Sequence, residues 1–238
     1  MQAVILAGGQ GQRLRPYTSV LPKPLMPIGE RPILDIILRQ LKYHGVDEVI
    51  VALGYLGPLI QSYLDQSEIG KQLNIRYHWE EKPLGTAGAV GSIEGLNGPF
   101  FVMNGDILTS LDFAEMYQTH IKDGADLTVG TVKTDVKVEL GVLSMDKTGH
   151  IIGYDEKPTL SYAASMGIYV YSPEILARIK PNEYLDAPTL VLDLISDKRK
   201  VLSYAPDCKW IDMGNRGEHE RATEEFLENR ATYLKGDF

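Results

Sequence analysis

The amino-acid sequence predicts an α/β fold: a mixed, mainly parallel sheet flanked by helices, with a smaller β-rich second part. Three observations lead there. Short apolar bursts alternate with helical patterns through the first half of the chain. Glycine or polar turns close two of these bursts, after Leu6 and after Met103, where a parallel sheet gathers its ligand-facing loops. Beyond about residue 135 the alternation gives way to a hairpin signature. The combination describes a Rossmann-like arrangement.

The elements follow in order. Ala3–Leu6 is a short apolar run ended by glycines, a buried strand, and a loop with Pro16, Pro22, Pro24, Pro27 and Pro32 follows it. Ile33, Ile36, Ile37 and Leu41 recur at helical spacing, and Gly45 stands where a helix stops. Val49–Leu53 reads as a strand, Leu56–Leu64 as a helix and Leu73–Trp79 as a strand. Thr86–Ile93 is expected as a small-residue helix packed close to the sheet, and Phe100–Met103 as a buried strand. Leu111–Ile121 is a helix and Asp126–Val132 a strand. Gly141–Met145 and Ile151–Tyr154 flank Asp146-Lys147-Thr148-Gly149 as a hairpin. Met166–Tyr171 and Val201–Ala205 are strands, Pro173–Ile179 and Thr189–Ile195 helices, and Arg216–Leu234 one charged amphipathic helix. No repeat, low-complexity stretch or flexible linker interrupts the chain, so residues 1–238 are expected to form one domain with two halves meeting near residue 135.

Composition narrows the function classes. Hydrophobic content of 44% and charged content of 24% are those of a soluble globular protein. A net charge of -8 argues against a nucleic-acid binder, which needs a basic face, yet a few local cations and a metal ion still make a positive pocket for a small anion. Cys208 is the one cysteine, so no internal disulfide forms, and a structural thiol in a reducing compartment is the expectation. No apolar run reaches the ~18 residues of a membrane span, and the first residues lack a basic leader, so a cytoplasmic location is expected.

Three segments carry chemistry. Gly8-Gly9-Gln10-Gly11-Gln12-Arg13 follows the first strand; glycines let backbone N–H groups approach phosphate oxygens, and Arg13 adds a bidentate fork. It is neither of two familiar phosphate loops: no Gly-Lys-Ser/Thr is present, and Leu14 stands where a dinucleotide fingerprint has its third glycine. Read alone, the segment is equally a tight turn without a ligand. Lys23, in Leu21-Pro22-Lys23-Pro24, is a cation on a backbone stiffened by prolines, or a solvated lysine in an ordinary loop. Asp106 closes a strand at its carboxyl end, where a carboxylate suits Mg²⁺ or simply serves a turn. Asp212 in Trp210-Ile211-Asp212-Met213-Gly214 is either a second oxygen ligand or an ordinary aspartate before a glycine turn.

Taken together these strings resemble the sugar-1-phosphate nucleotidyltransferases, also called NDP-sugar pyrophosphorylases, from Met1 to about residue 225. Ala3–Leu14 resembles the signature turn, and Pro22-Lys23-Pro24-Leu25 follows at the family spacing. Glu81-Lys82-Pro83-Leu84-Gly85-Thr86-Ala87-Gly88, Asn104-Gly105-Asp106, Glu156-Lys157-Pro158, Gly167-Ile168-Tyr169 and Trp210–Gly214 come in family order.

The resemblance implies a nucleotide-binding half, about 1–135, and a β-rich sugar-phosphate-binding half, about 136–238. It implies that Leu6, Ala7, Gly8, Gly9, Gly11, Gln12 and Arg13 hold the nucleotide, with the turn on its triphosphate. Lys23 contacts phosphate near the reacting phosphorus, and Glu80, Gly85 and Thr86 border base and ribose. Asp106 and Asp212 hold Mg²⁺; Arg13, Lys23 and Asp106 are the catalytic set. Asn104, Gly141, Glu156, Lys157, Gly167 and Asp212 face the sugar phosphate. The implied reaction joins two anions without a protein nucleophile, so cations that overcome repulsion and align the partners are its requirement. The five histidines are scattered without ligand spacing and take no catalytic role. The implied partners are an NTP and a sugar 1-phosphate, with no nucleic acid and no membrane; a homo-oligomer stays open.

The sequence departs from the family at Gln12, often threonine, at Tyr17, often leucine, and at Ser165-Met166, usually Asn-Ala. The last change bears on the sugar. Glu80 and Glu81 precede the base-bordering stretch, and carboxylates accept from guanine's adjacent N1–H and N2–H donors better than from uracil or thymine. With the Pro83–Gly88 string this favours a guanylyltransferase acting on a mannose- or heptose-type 1-phosphate; uridylyl, cytidylyl or thymidylyl transfer is the alternative. Many relatives continue into a left-handed β-helix, for which no room follows Leu234, so no acyltransferase activity is implied. A glycosyltransferase reading lacks a paired aspartate in Asn104-Gly105-Asp106, and a non-catalytic sensor would have lost Arg13, Lys23 or Asp106.

Overall fold

The structure, a computed structural model, describes residues 1–235; Gly236–Phe238, the end of the expected domain, lie outside the described residues. β1 (Gln2–Ala7) leads through three one-turn 3₁₀ segments to β2 (Pro27–Ile28), β3 (Arg31–Pro32) and α1 (Ile33–Tyr43). Next come β4 (Glu48–Leu53), α2 (Gly57–Gln66), α3 (Glu68–Gln72), β5 (Asn74–Trp79) and the short α4 (Gly85–Gly88). β6 (Phe100–Asn104), β7 (Ile107–Thr109), α5 (Phe113–Asp123), β8 (Leu127–Lys137), β9 (Val142–Met145), β10 (Ile151–Asp155) and β11 (Thr159–Tyr171) follow. The chain finishes with α6 (Ala187–Ser196), β12 (Val201–Tyr204), β13 (Trp210–Asp212), α7 (Arg216–Glu228) and α8 (Arg230–Tyr233).

Seven strands form the central sheet in the order β12-β8-β11-β6-β1-β4-β5. β1 pairs in parallel with both β4 and β6, β4 with β5, and β12 with β8; β11 alone runs against its neighbours. The expected mixed, mainly parallel sheet is therefore present. Its two faces are both covered, as continuous apolar strands require. Ala3, Ile5 and Ala7 of β1 pack toward α1, α5 and α7, whereas Val4 packs toward α6 and the 3₁₀ segment Pro173–Arg178. Chain order reverses at β1, which has β4 on one side and β6 on the other. A crevice opens there beyond the carboxyl ends of the strands.

Four sequence expectations are corrected. The helix expected over Thr86–Ile93 is a single turn, Gly85–Gly88, because Gly85, Gly88 and Gly91 take backbone carbonyls from 179–185 against them where side chains would stand. Pro173–Arg178 is 3₁₀ and not α. The last helix breaks at Asn229, which lets Tyr233 turn under, bury completely and donate to Glu225. The strand expected from Met166 begins at Thr159, paired along β8, so β8 and β11 extend past the central sheet as an antiparallel arm that carries the β9–β10 hairpin. Nine large apolar side chains of that arm, from Val136 to Tyr162, stay exposed.

His120 is a packing residue. Ser172 Oγ donates to Ala125 O, so it accepts from His120 Nε2–H, and Nδ1 accepts from the Thr128 hydroxyl. Burial lowers its pKa from 6.5, and burial also lowers those of His44 and His78. The sign follows: the unfolded chain takes up protons first, so these groups stabilise the fold above pH 6.5 and lose that contribution as pH falls below it. Thermal unfolding at pH 7.5 and 5.5 should show a lower Tm at the acid value, and a shallower difference in His120→Gln.

Candidate active site

The crevice is a cavity of about 700 Å³, within the range of small-molecule sites. Its floor is the end of β1 and the glycine turn. Gly11 takes φ +58°, and a Cβ there would stand 2.9 Å from Thr18 Cγ2 and 3.3 Å from Lys23 Cβ. Thr18 Oγ1 and Leu14 N both donate to Gly11 O, at 2.8 and 2.9 Å, closing the turn. Gly11→Ala should therefore cost about 2 kcal/mol, from the left-handed backbone and the displaced neighbours. Differential scanning fluorimetry should read this as a Tm lower by roughly 4–8 °C.

Arg13, Lys23 and Asp106 bring charge to the cavity lining, and Asp212 adjoins Lys23 without lining the cavity. Lys23 sits between extended Pro22 and Pro24 at the head of a 3₁₀ turn closed by Leu25 N donating to Pro22 O at 2.8 Å. Its ammonium pairs with Asp106 and stands 3.8 Å from Asp212 Oδ1. Asp212 reaches this place through β13, a strand the sequence reading missed. β13 pairs antiparallel with β7, setting Asp212 opposite Ile107, and Met213 N donates to Asp106 O at 3.1 Å. Burial, with the neighbouring Asp106 carboxylate, pushes the Asp212 carboxyl up, against the opposing pull of Lys23 and Arg13. Arg13 lies against Gly214, where a Cβ would stand 3.2 Å from its Nη2.

The segment after β5 supplies a further part of the lining: Glu80, Pro83, Leu84, Gly85 and Thr86. Glu80 takes a backbone hydrogen bond from Leu84 and lies over Gly8, and burial raises its pKa. Glu81 is exposed and lines none of the cavity.

The structure thus brings Leu6, Ala7, Gly8, Gly9, Gly11, Gln12, Arg13, Lys23, Glu80, Gly85, Thr86, Asn104 and Asp106 into one cavity wall. Gly167 backs onto it, with the Asn104 amide 2.7 Å from where a Cβ would be. Gly141, Glu156 and Lys157 stay outside the wall, on the exposed arm, where Tyr154 donates to Glu156 at 2.8 Å and its phenol covers Gly141. Pro24, Ala89, Gly105, Tyr184 and Gly214 also line the cavity without being expected there. Gly214 belongs to the Trp210–Gly214 string, whereas Tyr184 carries no local signal. Cys208 lies outside the wall, 3.9 Å from Thr109 Oγ1, its thiol pushed up by burial.

Beyond the strand ends of a mainly parallel sheet the chain thus gathers a glycine turn, two cations and two carboxylates. The chain belongs to the nucleotidyl transferase family, whose model matches residues 2–229. It is 32% identical over 244 residues to the UTP–glucose-1-phosphate uridylyltransferase of a Synechocystis strain, covering 93% of this chain and 62% of that protein. It is 34% identical over 242 residues to the mannose-1-phosphate guanylyltransferase catalytic subunit beta of Xenopus tropicalis, covering 99% of this chain and 65% of that one. The chain therefore spans less than two thirds of the length of either relative. HddC from Yersinia pseudotuberculosis, solved in complex with GMP-PN, superposes with a TM-score of 0.72 at 26% identity, over 94% of this chain and 99% of that one. Among the described residues no helix is long and apolar enough to cross a membrane.

Proposed function

We propose that this protein transfers a nucleoside monophosphate from an NTP to a sugar 1-phosphate, releasing pyrophosphate, with GTP and a mannose- or heptose-type 1-phosphate as the substrates. The observation that carries the reaction type is the cluster of Lys23, Arg13, Asp106 and Asp212 beside the glycine turn at the chain's topological switch point. A sugar-phosphate oxygen bonds to the α-phosphorus as the bond from that phosphorus to the β-bridging oxygen breaks. The leaving pyrophosphate takes the electron pair, and no protein nucleophile is needed. The turn's N–H groups and Arg13 hold the β- and γ-phosphates, and Lys23 neutralises charge gathering at the α-phosphorus.

The carboxylates fit a divalent cation. Asp106 and Asp212 share one ammonium, and burial and the Asp106 carboxylate raise the Asp212 pKa, a repulsion a second cation would relieve. Among the described residues no group of three or more Asp, Glu, His or Cys is placed to hold a metal ion. A metal held by two carboxylates would complete its shell with phosphates and water, as Mg²⁺ does. Mg²⁺ bound there would supply charge neutralisation for the phosphates.

Guanine is favoured by Glu80, which lines the cavity beside Pro83 and Leu84 and whose ionised carboxylate accepts from two adjacent N–H donors. Asn104, backed by Gly167, continues the cavity toward the arm bearing Gly141, Glu156 and Lys157, to which we assign the sugar phosphate. The Synechocystis relative's name keeps uridylyl transfer as the second reading. Pyrophosphate release with Mg²⁺, the nucleoside triphosphates and a panel of sugar 1-phosphates tests both. GTP with a mannose- or heptose-type phosphate should give the highest kcat/KM. Release with UTP or TTP and none with GTP overturns the base assignment.

A further inference from the structure

We infer that Tyr184 is a stacking platform for the nucleotide base, and that it makes the site favour purines over pyrimidines. The inference rests on the nucleotide reading above and extends it to a residue outside every motif.

The segment bearing Tyr184 is built onto the base wall. Leu185 N donates to Leu84 O at 2.9 Å, and Leu185 O accepts from Ala87 N at 2.9 Å and Gly88 N at 2.8 Å. This approach needs glycine on the other side: a Cβ on Gly85 would meet Leu185 O at 2.6 Å, and one on Gly88 would meet Glu183 O at 2.5 Å. The glycines of the Pro83–Gly88 string therefore serve to admit a distant strand of chain as well as a ligand.

The ring itself is fixed yet uncovered. Tyr184 lines the cavity with Pro83, Leu84, Gly85 and Thr86 and is 66% exposed. Its hydroxyl donates to Asp186 Oδ2 at 2.6 Å, while Asp186 Oδ1 accepts from Thr86 N at 3.3 Å. One carboxylate thus ties the ring to the wall it faces. With the hydroxyl committed internally, what the ring offers the cavity is an apolar π face. A flat heteroaromatic base is the ligand chemistry that face recognises, and stacking strength grows with overlap, so a purine gains more than a pyrimidine.

The test is equilibrium binding of GTP, ATP, UTP and CTP, at fixed Mg²⁺, to wild type, Tyr184→Ala and Tyr184→Phe, with Tm measured for each. Y184A should weaken the two purine nucleotides about tenfold, the size of one aromatic–base stack. It should weaken the pyrimidine nucleotides by no more than about threefold, with little change in Tm because the ring is exposed. Y184F, which keeps the face and loses the tether, should recover most of the purine affinity. Wild-type GTP affinity in Y184A overturns the inference, as does an equal loss for all four nucleotides, which would mark a merely structural role. Failure of the wild type to bind any nucleotide would instead overturn the nucleotide reading itself.

Discussion

Asp106→Asn should lower turnover about a thousandfold while leaving the protein folded. The substitution keeps size and shape but removes the charge that pairs with Lys23 and lies beside Asp212. Its effect on stability is small because two changes oppose each other: the Lys23 pair is lost, and the repulsion on Asp212 is relieved. Its effect on the reaction is large because a site with two carboxylates cannot spare one and still hold a divalent cation against the phosphates. The readout that separates this account from simple damage is the Mg²⁺ titration. In the variant the half-saturating Mg²⁺ concentration should rise steeply, with Tm near wild type. Turnover within tenfold of wild type and an unchanged Mg²⁺ curve would remove Asp106 from the role assigned here.

Lys23→Met should cost about a hundred- to a thousandfold in turnover, the loss of one preorganised cation at a reacting phosphoryl group. It carries an opposite expectation for the protein without nucleotide. Lys23 is the ammonium that Asp106 and Asp212 share. Removing it leaves both carboxylates facing each other, so Mn²⁺ binding followed by electron paramagnetic resonance should tighten several-fold in K23M. Catalysis and metal affinity thus move in opposite directions. An ordinary surface lysine would move neither, and K23M with wild-type turnover would contradict its placement at the phosphates.

Much of this site is legible in the sequence because local chemistry dictates it. Gly11 must be glycine for its positive φ and for the space that Thr18 and Lys23 occupy. Pro22 and Pro24 declare a fixed cation, and apolar runs ended by Gly8 and Asn104 declare adjacent strand ends at a crevice. What escaped the reading is set by distant pairing. β13 has three residues, too few for alternation to register, yet its register with β7 is what brings Asp212 beside Asp106. Tyr184 comes to the cavity because Leu185 docks on Leu84 across about a hundred residues of chain, contacts no local pattern encodes. The Thr86–Ile93 expectation failed for the same reason: its small residues suit a close-packed helix, but the carbonyls of the 179–185 segment claim the space and the hydrogen bonds. Asn229, a weak helix former, breaks the last helix because turning Tyr233 inward buries its ring against Phe226.

The separation between the cavity and the arm has a consequence for substrate order. The residues we assign to the nucleotide line one cavity, whereas Gly141, Glu156 and Lys157 stand on the exposed arm outside it. A preassembled half binds its substrate independently, so GTP should bind without the sugar phosphate.

The central claim, nucleotidyl transfer, is tested most directly by following the α-phosphorus. GTP labelled at that atom, incubated with the protein, Mg²⁺ and mannose 1-phosphate or a heptose 1-phosphate, should pass its label into a nucleoside diphosphate sugar while unlabelled pyrophosphate accumulates in equal amount. Label recovered in free GMP, or no label transferred from any of the nucleoside triphosphates to any sugar 1-phosphate, would contradict the account.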